Sequence, residues 1–352
     1  MYDAIKIQVD GTDYSGWKSV TVQRSMEALT GRFTMTTVDR WALNAEAWTI
    51  YPGRFCRVLI GRDTILEGYV DSVNPSITKD SHEITVSGRD KTADLVDCGT
   101  AGRWTNLTLL RLAQSMVDPF GINVVSEVDP GPAFETFSAE IGETVFEALS
   151  RAARKRHVLL LTGRVGNLVI TNTGNTSAGD RLVLGSRGNI LSASGGYDYT
   201  DRFSRYTVKG QSRTVGSGWG ATTISIKGEA DDDEVIRYRP KYIKGQGIVT
   251  VKDAQNQARW EALIRAAKSF KATVEVSGFR QSTGDLWEVN LLADVDVPEL
   301  LLAGPMLISA IEYRQNDQDG SITSMELTRP DAYVDEPPRT IKKVRNLGWM
   351  VR

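Results

Sequence analysis

Residues 287–334 read WEVNLLADVDVPELLLAGPMLISAIEYRQNDQDGSITSMELTRPDAYV. The stretch is an extended segment, a Gly304-Pro305 corner, then two β-runs over 306–315 and 321–328 joined by a polar turn at 317–320. Reactive side chains do not accompany it. The segment advertises an architecture and points toward an assembly component before an enzyme.

Outward from that hairpin the same signal recurs. Runs at 271–278 and 287–292 precede it, and three more at 190–195, 203–211 and 222–228 lie further upstream. At the other end, runs at 2–9, 19–26, 31–38, 56–60, 65–73 and 82–87 are separated by Asp10-Gly11, Gly61, Gly68, Asn74-Pro75 and residues 79–81. Short alternating runs with polar turns predict antiparallel sheet with one wet face. Residues 42–51 are less regular and read as a loop or short helix.

The pattern changes near Cys98. Leu109, Leu112, Ala113 and Met116 recur at helical spacing over 106–117, and Asp118-Pro119 ends that run. A second helix is predicted over 142–156, with Val145, Leu149 and Ala152 as its apolar stripe. Arg151, Arg154, Lys155 and Arg156 cluster at its end, where they complement the helix dipole. Runs at 158–162 and 167–171 predict a hairpin around 163–166. The longest helical signal, about 251–270, carries a face of small residues, which allows close packing on a sheet. The expected fold class is therefore α+β, mainly β. Two barrel-like antiparallel β domains, 1–97 and 186–330, flank a small α+β domain at 98–185. A C-terminal extension follows at 331–352. No strict short repeat is visible, but the pattern is compatible with a distant duplication of the barrels.

Composition narrows the function. A length of 352 residues with 41% hydrophobic content supports two or more cores. A net charge of −2 leaves no general basic field for nucleic acid. Cys56 and Cys98 form no CxxC and read as two buried thiols in a chain folded in a reducing compartment. The MYDAIKIQVDG start lacks the basic head and apolar core of a signal peptide. The longest apolar run, 298–311, is shorter than the roughly 20 residues that span a bilayer, so no membrane segment is expected.

A search for chemistry returns little. His82 and His157 are the chain's two histidines, and neither has metal-ligand spacing. No G-x-S-x-G elbow and no phosphate loop occur, and Gly216, Gly218 and Gly220 read as a surface loop. Asp231 to Glu234 lack the spacing of a calcium loop and read as a solvated acidic turn. Asp294 and Asp296, two apart on an extended segment, face one way. The Arg151–Arg156 cluster reads as a solvated face. No cofactor, metal or catalytic residue is expected. Of the eight tryptophans, most read as packing residues. Trp219 and Trp349 sit in loop-like or terminal contexts suited to a partner surface. With Lys342, Lys343 and Arg345 they form the candidate interface.

The order and spacing of several segments resemble one known family. GETVFEALSRAARKRHVLLLTGRVGNLVI is similar to the middle domain of the phage baseplate hub proteins, also called tail or late-control protein D-like. RYTVKGQS, DDDEVIRYRP, QARWEALIRAAKSFKATVEVSGF and LLLAGPMLISAIEYRQNDQDGSITSMELTRPDAY are similar to its second barrel, helix and final hairpin. The likeness spans nearly the whole chain and is nearest to the 43 kDa tail proteins of Mu-like phages and prophages. It implies a homotrimer at the centre of a contractile-tail baseplate, with six similar lobes adapting a sixfold tail tube to a threefold spike. A central channel would pass DNA as transient cargo. Partners would be the central spike, the tail tube and other baseplate proteins. The site would be the virion tail, after folding in the bacterial cytoplasm. The family offers no catalytic residue to carry over. Two other readings are kept. A carboxylate-dependent cell-wall hydrolase predicts a deep cleft with a shifted acid near Asp294 or Glu299, and a carbohydrate-binding module predicts a row of exposed aromatics.

Overall fold

The computed structural model describes residues 3–38, 50–79, 82–174, 176–214, 222–245 and 250–333. In chain order its elements begin with β1 (Ile5–Val9), β2 (Thr12–Tyr14), β3 (Ser19–Ser25), β4 (Arg32–Val38), β5 (Phe55–Ile60), β6 (Asp63–Ile77) and β7 (His82–Asp90). The middle region holds α1 (Ala93–Asp97), β8 (Arg103–Leu107), α2 (Leu109–Val117), β9 (Val124–Ser126), β10 (Phe134–Ser138), α3 (Val145–Arg154), β11 (Leu159–Thr162) and β12 (Leu168–Thr171). After β13 (Thr176–Ser177) and β14 (Leu182–Val183) come β15 (Ile190–Tyr197), β16 (Arg205–Thr214), β17 (Thr222–Asp231) and β18 (Pro240–Lys244). The chain continues through α4 (Val251–Lys268), β19 (Phe270–Ser277), β20 (Leu291–Val297), β21 (Leu302–Asn316) and β22 (Gly320–Thr328).

The mainly β, α+β character holds, but among the described residues no sheet closes into a barrel. The main sheet is an open path in the order β15-β19-β22-β21-β3-β4-β7-β6-β5-β1-β2, with β20 beside β21 and the short β13 and β14 beside β20. The first and last β-regions join through the antiparallel β3–β21 ladder, Ser25 opposite Ala310 and Ser19 opposite Asn316. The physical reason for the correction is that alternation marks a strand and its wet face but not its partner. The edge that would have closed the first region on itself is taken by a strand nearly three hundred residues away.

Within this sheet one arrangement occurs twice. The hairpin of β6 and β7 has strands of 15 and 9 residues, as does that of β21 and β22. Each long strand carries a bulge at the matching place, between Val70 and Ser72 in one and between Ile308 and Ala310 in the other. The strand before each long strand pairs with its first half, β5 from Asp63 to Tyr69 and β20 from Leu302 to Leu307. On the far side of the hairpins β4 lies along β7 and β19 along β22. The strand β3 lies beside β4, and β15 beside β19. The cores match in kind, with Val22, Phe33, Met35 and Val86 buried in one and Val274, Val276, Ile311, Met325 and Leu327 in the other.

The middle region packs α2 and α3 with the β11-β12-β9 sheet and the β8-β10 pair. Its core is the apolar stripe read from sequence, Leu109, Leu112, Ala113 and Met116 with Val145, Leu149 and Ala152, all buried. Helix α3 starts with a capping box, Thr144 accepting from the Glu147 amide while Glu147 accepts from the Thr144 amide.

The chain divides into two compact units, residues 1–195 with 271–330, and residues 196–270 with 331–352. In the second, β17-β16-β18 form a three-stranded sheet on which α4 lies. Gly228 makes this approach possible, since a Cβ there would stand 2.2 Å from the backbone of Ala254. Ala254 and Ala258 are buried against Val208 and Ile226, and Gln255 bonds both backbone groups of Glu229.

Of the two thiols, Cys56 is buried, where desolvation pushes its pKa up to about 12, but Cys98 is exposed. The expectation that both are buried fails at Cys98 because it is the C-cap of the short helix α1.

Candidate assembly surface

The groups that looked chemical in the sequence are engaged with one another. Asp294 and Asp296 do face one way along β20, and Arg181 meets them at 2.6 and 3.6 Å. Asp294 is half exposed and Glu299 is exposed, so they form no buried acid site. The acidic turn is not simply solvated. Arg202, itself only 4% exposed, holds Asp232 at 2.6 Å and Glu234 at 2.7 Å, and Arg205 holds Asp231 at 2.7 Å. The basic cluster on α3 is likewise in use. Arg151 pairs with Glu143 at 2.7 Å and lies over the ring of Phe137, and Arg156 stacks on Phe134. No group of three or more His, Cys, Asp or Glu poised for a metal occurs among the described residues.

One acid among the described residues is shifted upward, and the sequence gives no sign of it. Asp90, 2% exposed at the end of β7, is pushed up to about 6 by burial. Its Oδ2 accepts from the Gly31 amide at 2.6 Å, and its Oδ1 from the Thr92 amide at 3.0 Å and the Thr92 hydroxyl at 2.5 Å. Thr92 meets the Thr162 hydroxyl at 2.8 Å, which donates to the Leu29 carbonyl at 2.6 Å. Buried Arg24 donates to the Thr162 carbonyl. This network ties β3, β7, α1 and β11 together. Every oxygen of Asp90 is committed, so it is a structural acid that fixes the middle region on the sheet. The sequence signal was only a carboxylate and a threonine two apart after an alternating strand, which is common.

Surfaces able to meet another protein lie elsewhere. Strand β15, ILSASGGY, ends the main sheet, has no charged residue, and exposes Leu191 at 56% and Tyr197 at 50%. The second half of β6 is also open. Beyond Val70, whose amide and carbonyl still bond to Arg54 and Gly53, it pairs only with β7 among the described residues, and Ile77 is 72% exposed. In the second unit the turn before β18 presents Ile236 and Tyr238, both almost fully exposed. The four described tryptophans are not part of such a surface, since Trp17 and Trp287 are buried and Trp104 and Trp260 half-buried. A row of exposed tryptophans for sugar binding is thus missing among the described residues. The candidate interface residues Trp219, Lys342, Lys343, Arg345 and Trp349 lie outside the described residues, as do Trp41, Trp48 and the Gly216–Gly220 loop.

Comparison with known proteins matches this architecture from end to end. Residues 4–90 match the family described as Mu phage baseplate assembly protein GpP-like, N-terminal. Residues 92–172 match baseplate hub protein gp44-like, second domain, and residues 250–336 match Mu phage baseplate assembly protein GpP, fourth domain. Over 363 residues the chain is 37% identical to the baseplate hub protein gp44 of Escherichia phage Mu, covering 99% of this chain and 93% of that protein. The chain belongs to the Mu gp44-like family of baseplate hub proteins. The solved 43 kDa tail protein of prophage MuSo2 from Shewanella oneidensis shares 36% identity at a TM-score of 0.82, over 94% of this chain and 99% of that one. The tail protein from Neisseria meningitidis MC58 has the same fold, with a TM-score of 0.79 at 23% identity, over 94% of this chain and 99% of the other.

The hub's role is therefore structural, in the tail baseplate of a Mu-like phage or prophage. It works among other tail components during virion assembly. Its sequence carries no catalytic motif of those sought above, and the buried Asp90 carboxyl is consumed in holding the fold.

Proposed function

We propose that three copies of this hub form a ring at the centre of a contractile-tail baseplate. The ring presents six similar lobes to a sixfold tail tube and docks a threefold spike on its other side. The centre stays open as a channel for DNA during ejection. The observation that carries this reading is the doubled hairpin arrangement of the main sheet, β6 and β7 with their flanking strands matched by β21 and β22 with theirs. Two like lobes per chain give a threefold assembly the local pattern of a sixfold one, which is what a symmetry adaptor requires. Closed rotational symmetry also uses up adhesive surfaces and stops growth into fibres. The extension at 331–352, with Lys342, Lys343, Arg345 and Trp349, reaches a neighbouring copy or the spike, and Trp219 meets a partner.

Sedimentation of the full chain tests the ring. The expected mass is three times the 38.8 kDa of the chain, and a single-chain mass at all concentrations contradicts the reading. Truncation after Tyr333 tests the extension. Loss of trimers or of spike binding is expected, and a truncated chain that retains both removes the extension from the interface.

A further inference from the structure

We propose that edge strand β15 of one copy pairs antiparallel with the open half of β6 of a second copy, repeating between chains the β3–β21 joint made within each chain. The inference rests on the ring reading and gives it a register.

It follows from matching the two lobes. The bulge equates Asp71 with Ser309, so the open half of β6, Ser72 to Ile77, corresponds to the part of β21 that pairs with β3. On the other side, β3 corresponds to β15, since each flanks the strand that lies along the hairpin. The match extends to individual residues. Ser192 Oγ donates to Glu275 at 2.7 Å, the Asp198 amide donates to the Ser269 carbonyl at 2.7 Å, and the rings of Tyr197 and Phe270 lie 4.7 Å apart. These contacts set β15 against β19 with Tyr197 opposite Phe270, as Arg24 stands beyond the end of β4. Applying the β3–β21 register to the free edges places Val73 opposite Tyr197, Asn74 opposite Gly196, Pro75 opposite Gly195 and Ile77 opposite Ala193.

The hydrogen-bond alternation agrees. Asp198 bonds inward to β19, so in an antiparallel strand Tyr197, Gly195 and Ala193 turn their amides and carbonyls outward. In the intrachain joint Met26 donates to the Ser309 carbonyl, which makes Ile311, Tyr313 and Gln315 the residues bonded to β3. Their counterparts Val73, Pro75 and Ile77 turn outward from β7. Pro75 is thus tolerated beside β7 because its missing amide faces the open edge, and it costs the new ladder one donor while its carbonyl still accepts from Gly195.

The exposed side chains fit as well. Both edges are uncharged, SVNPSI in β6 and ILSASGGY in β15. Unpaired strands without a blunting charge are the edges most prone to pairing. Ile77, 72% exposed in a single chain, gains a cross-strand neighbour in Ala193. The joint is head-to-tail, since each copy offers one β15 and one β6, the kind of interface that closes as a ring when its rotation divides a full turn.

Disulfide cross-linking in the full chain tests this. Exposed Cys98 is first replaced by Ser. Asn74→Cys with Gly196→Cys then places two thiols in a non-hydrogen-bonded cross-strand pair, a spacing of about 4.5 Å between Cα atoms that a disulfide can bridge. Gly196 accepts the change, because a Cβ there meets nothing within 4 Å. On mild oxidation, non-reducing electrophoresis is expected to shift the 38.8 kDa chain to linked dimers and trimers. The pair Ser76→Cys with Gly196→Cys, two residues out of register, is expected to remain largely unlinked. Trimers by sedimentation that show no in-register link, or that link equally with the shifted pair, overturn this joint and leave the ring standing. A monomeric mass overturns both.

Discussion

Asp90 shows how much of this fold depends on one buried carboxyl. Desolvation raises its pKa to about 6 from an ordinary 3.8, despite the Thr92 and Gly31 bonds that favour the charged form. Between those values the folded chain holds a proton that the unfolded chain has released. Stability from this group is therefore present at low pH and declines as pH rises toward 6. Asp90→Asn removes the titration and turns one donor toward the Gly31 amide. Urea unfolding should show the variant less stable than the parent at pH 7, with the deficit widening by about 2 kcal/mol at pH 4.5. A deficit that is constant across this range would remove the buried-acid account. None of this was visible in sequence. Carboxylates are abundant in the chain, and burial of one depends on the middle region folding down over β7. The same holds for Arg181 and Arg202, whose carboxylate partners were noticed without them.

At the level of elements the sequence was more legible. The apolar spacing of α2 and α3 and the small face of α4 marked their positions to within a few residues, since helix periodicity is a local property. The strand expected over 287–292 starts four residues later than expected. The strand begins at Leu291 because Asn290 takes a left-handed conformation at φ 66 and the Trp287 carbonyl is held by the Tyr313 hydroxyl. Alternation in LLADVDV was the better signal, with Ala293, Val295 and Val297 buried. The small face of α4 implied a close neighbour, and Gly228 is that neighbour. Gly228→Ala drives a methyl into the helix backbone and should cost about 2 kcal/mol or more of the second unit's stability. Gly99→Ala is the control, since its Cβ would meet only the Glu143 carbonyl at an ordinary 3.8 Å. Equal melting temperatures for the two variants would contradict the packing described.

For the whole molecule, sequence supplied the family and the mainly β class, and it was compatible with a distant duplication. It misplaced the closure. Two self-contained barrels were expected, but the repeated hairpins are joined into one open path by β3 and β21, a pairing that no local pattern encodes. That open path is what gives the ring reading its physical basis, since a lobe joined to its like within one chain can be joined in the same way to the next chain. End-on electron micrographs of the purified assembly test the claim most directly. The account predicts six lobes of two alternating kinds around an open centre, related by a threefold axis. Single particles with no rotational symmetry, or rings whose lobes do not number two per chain, would contradict it.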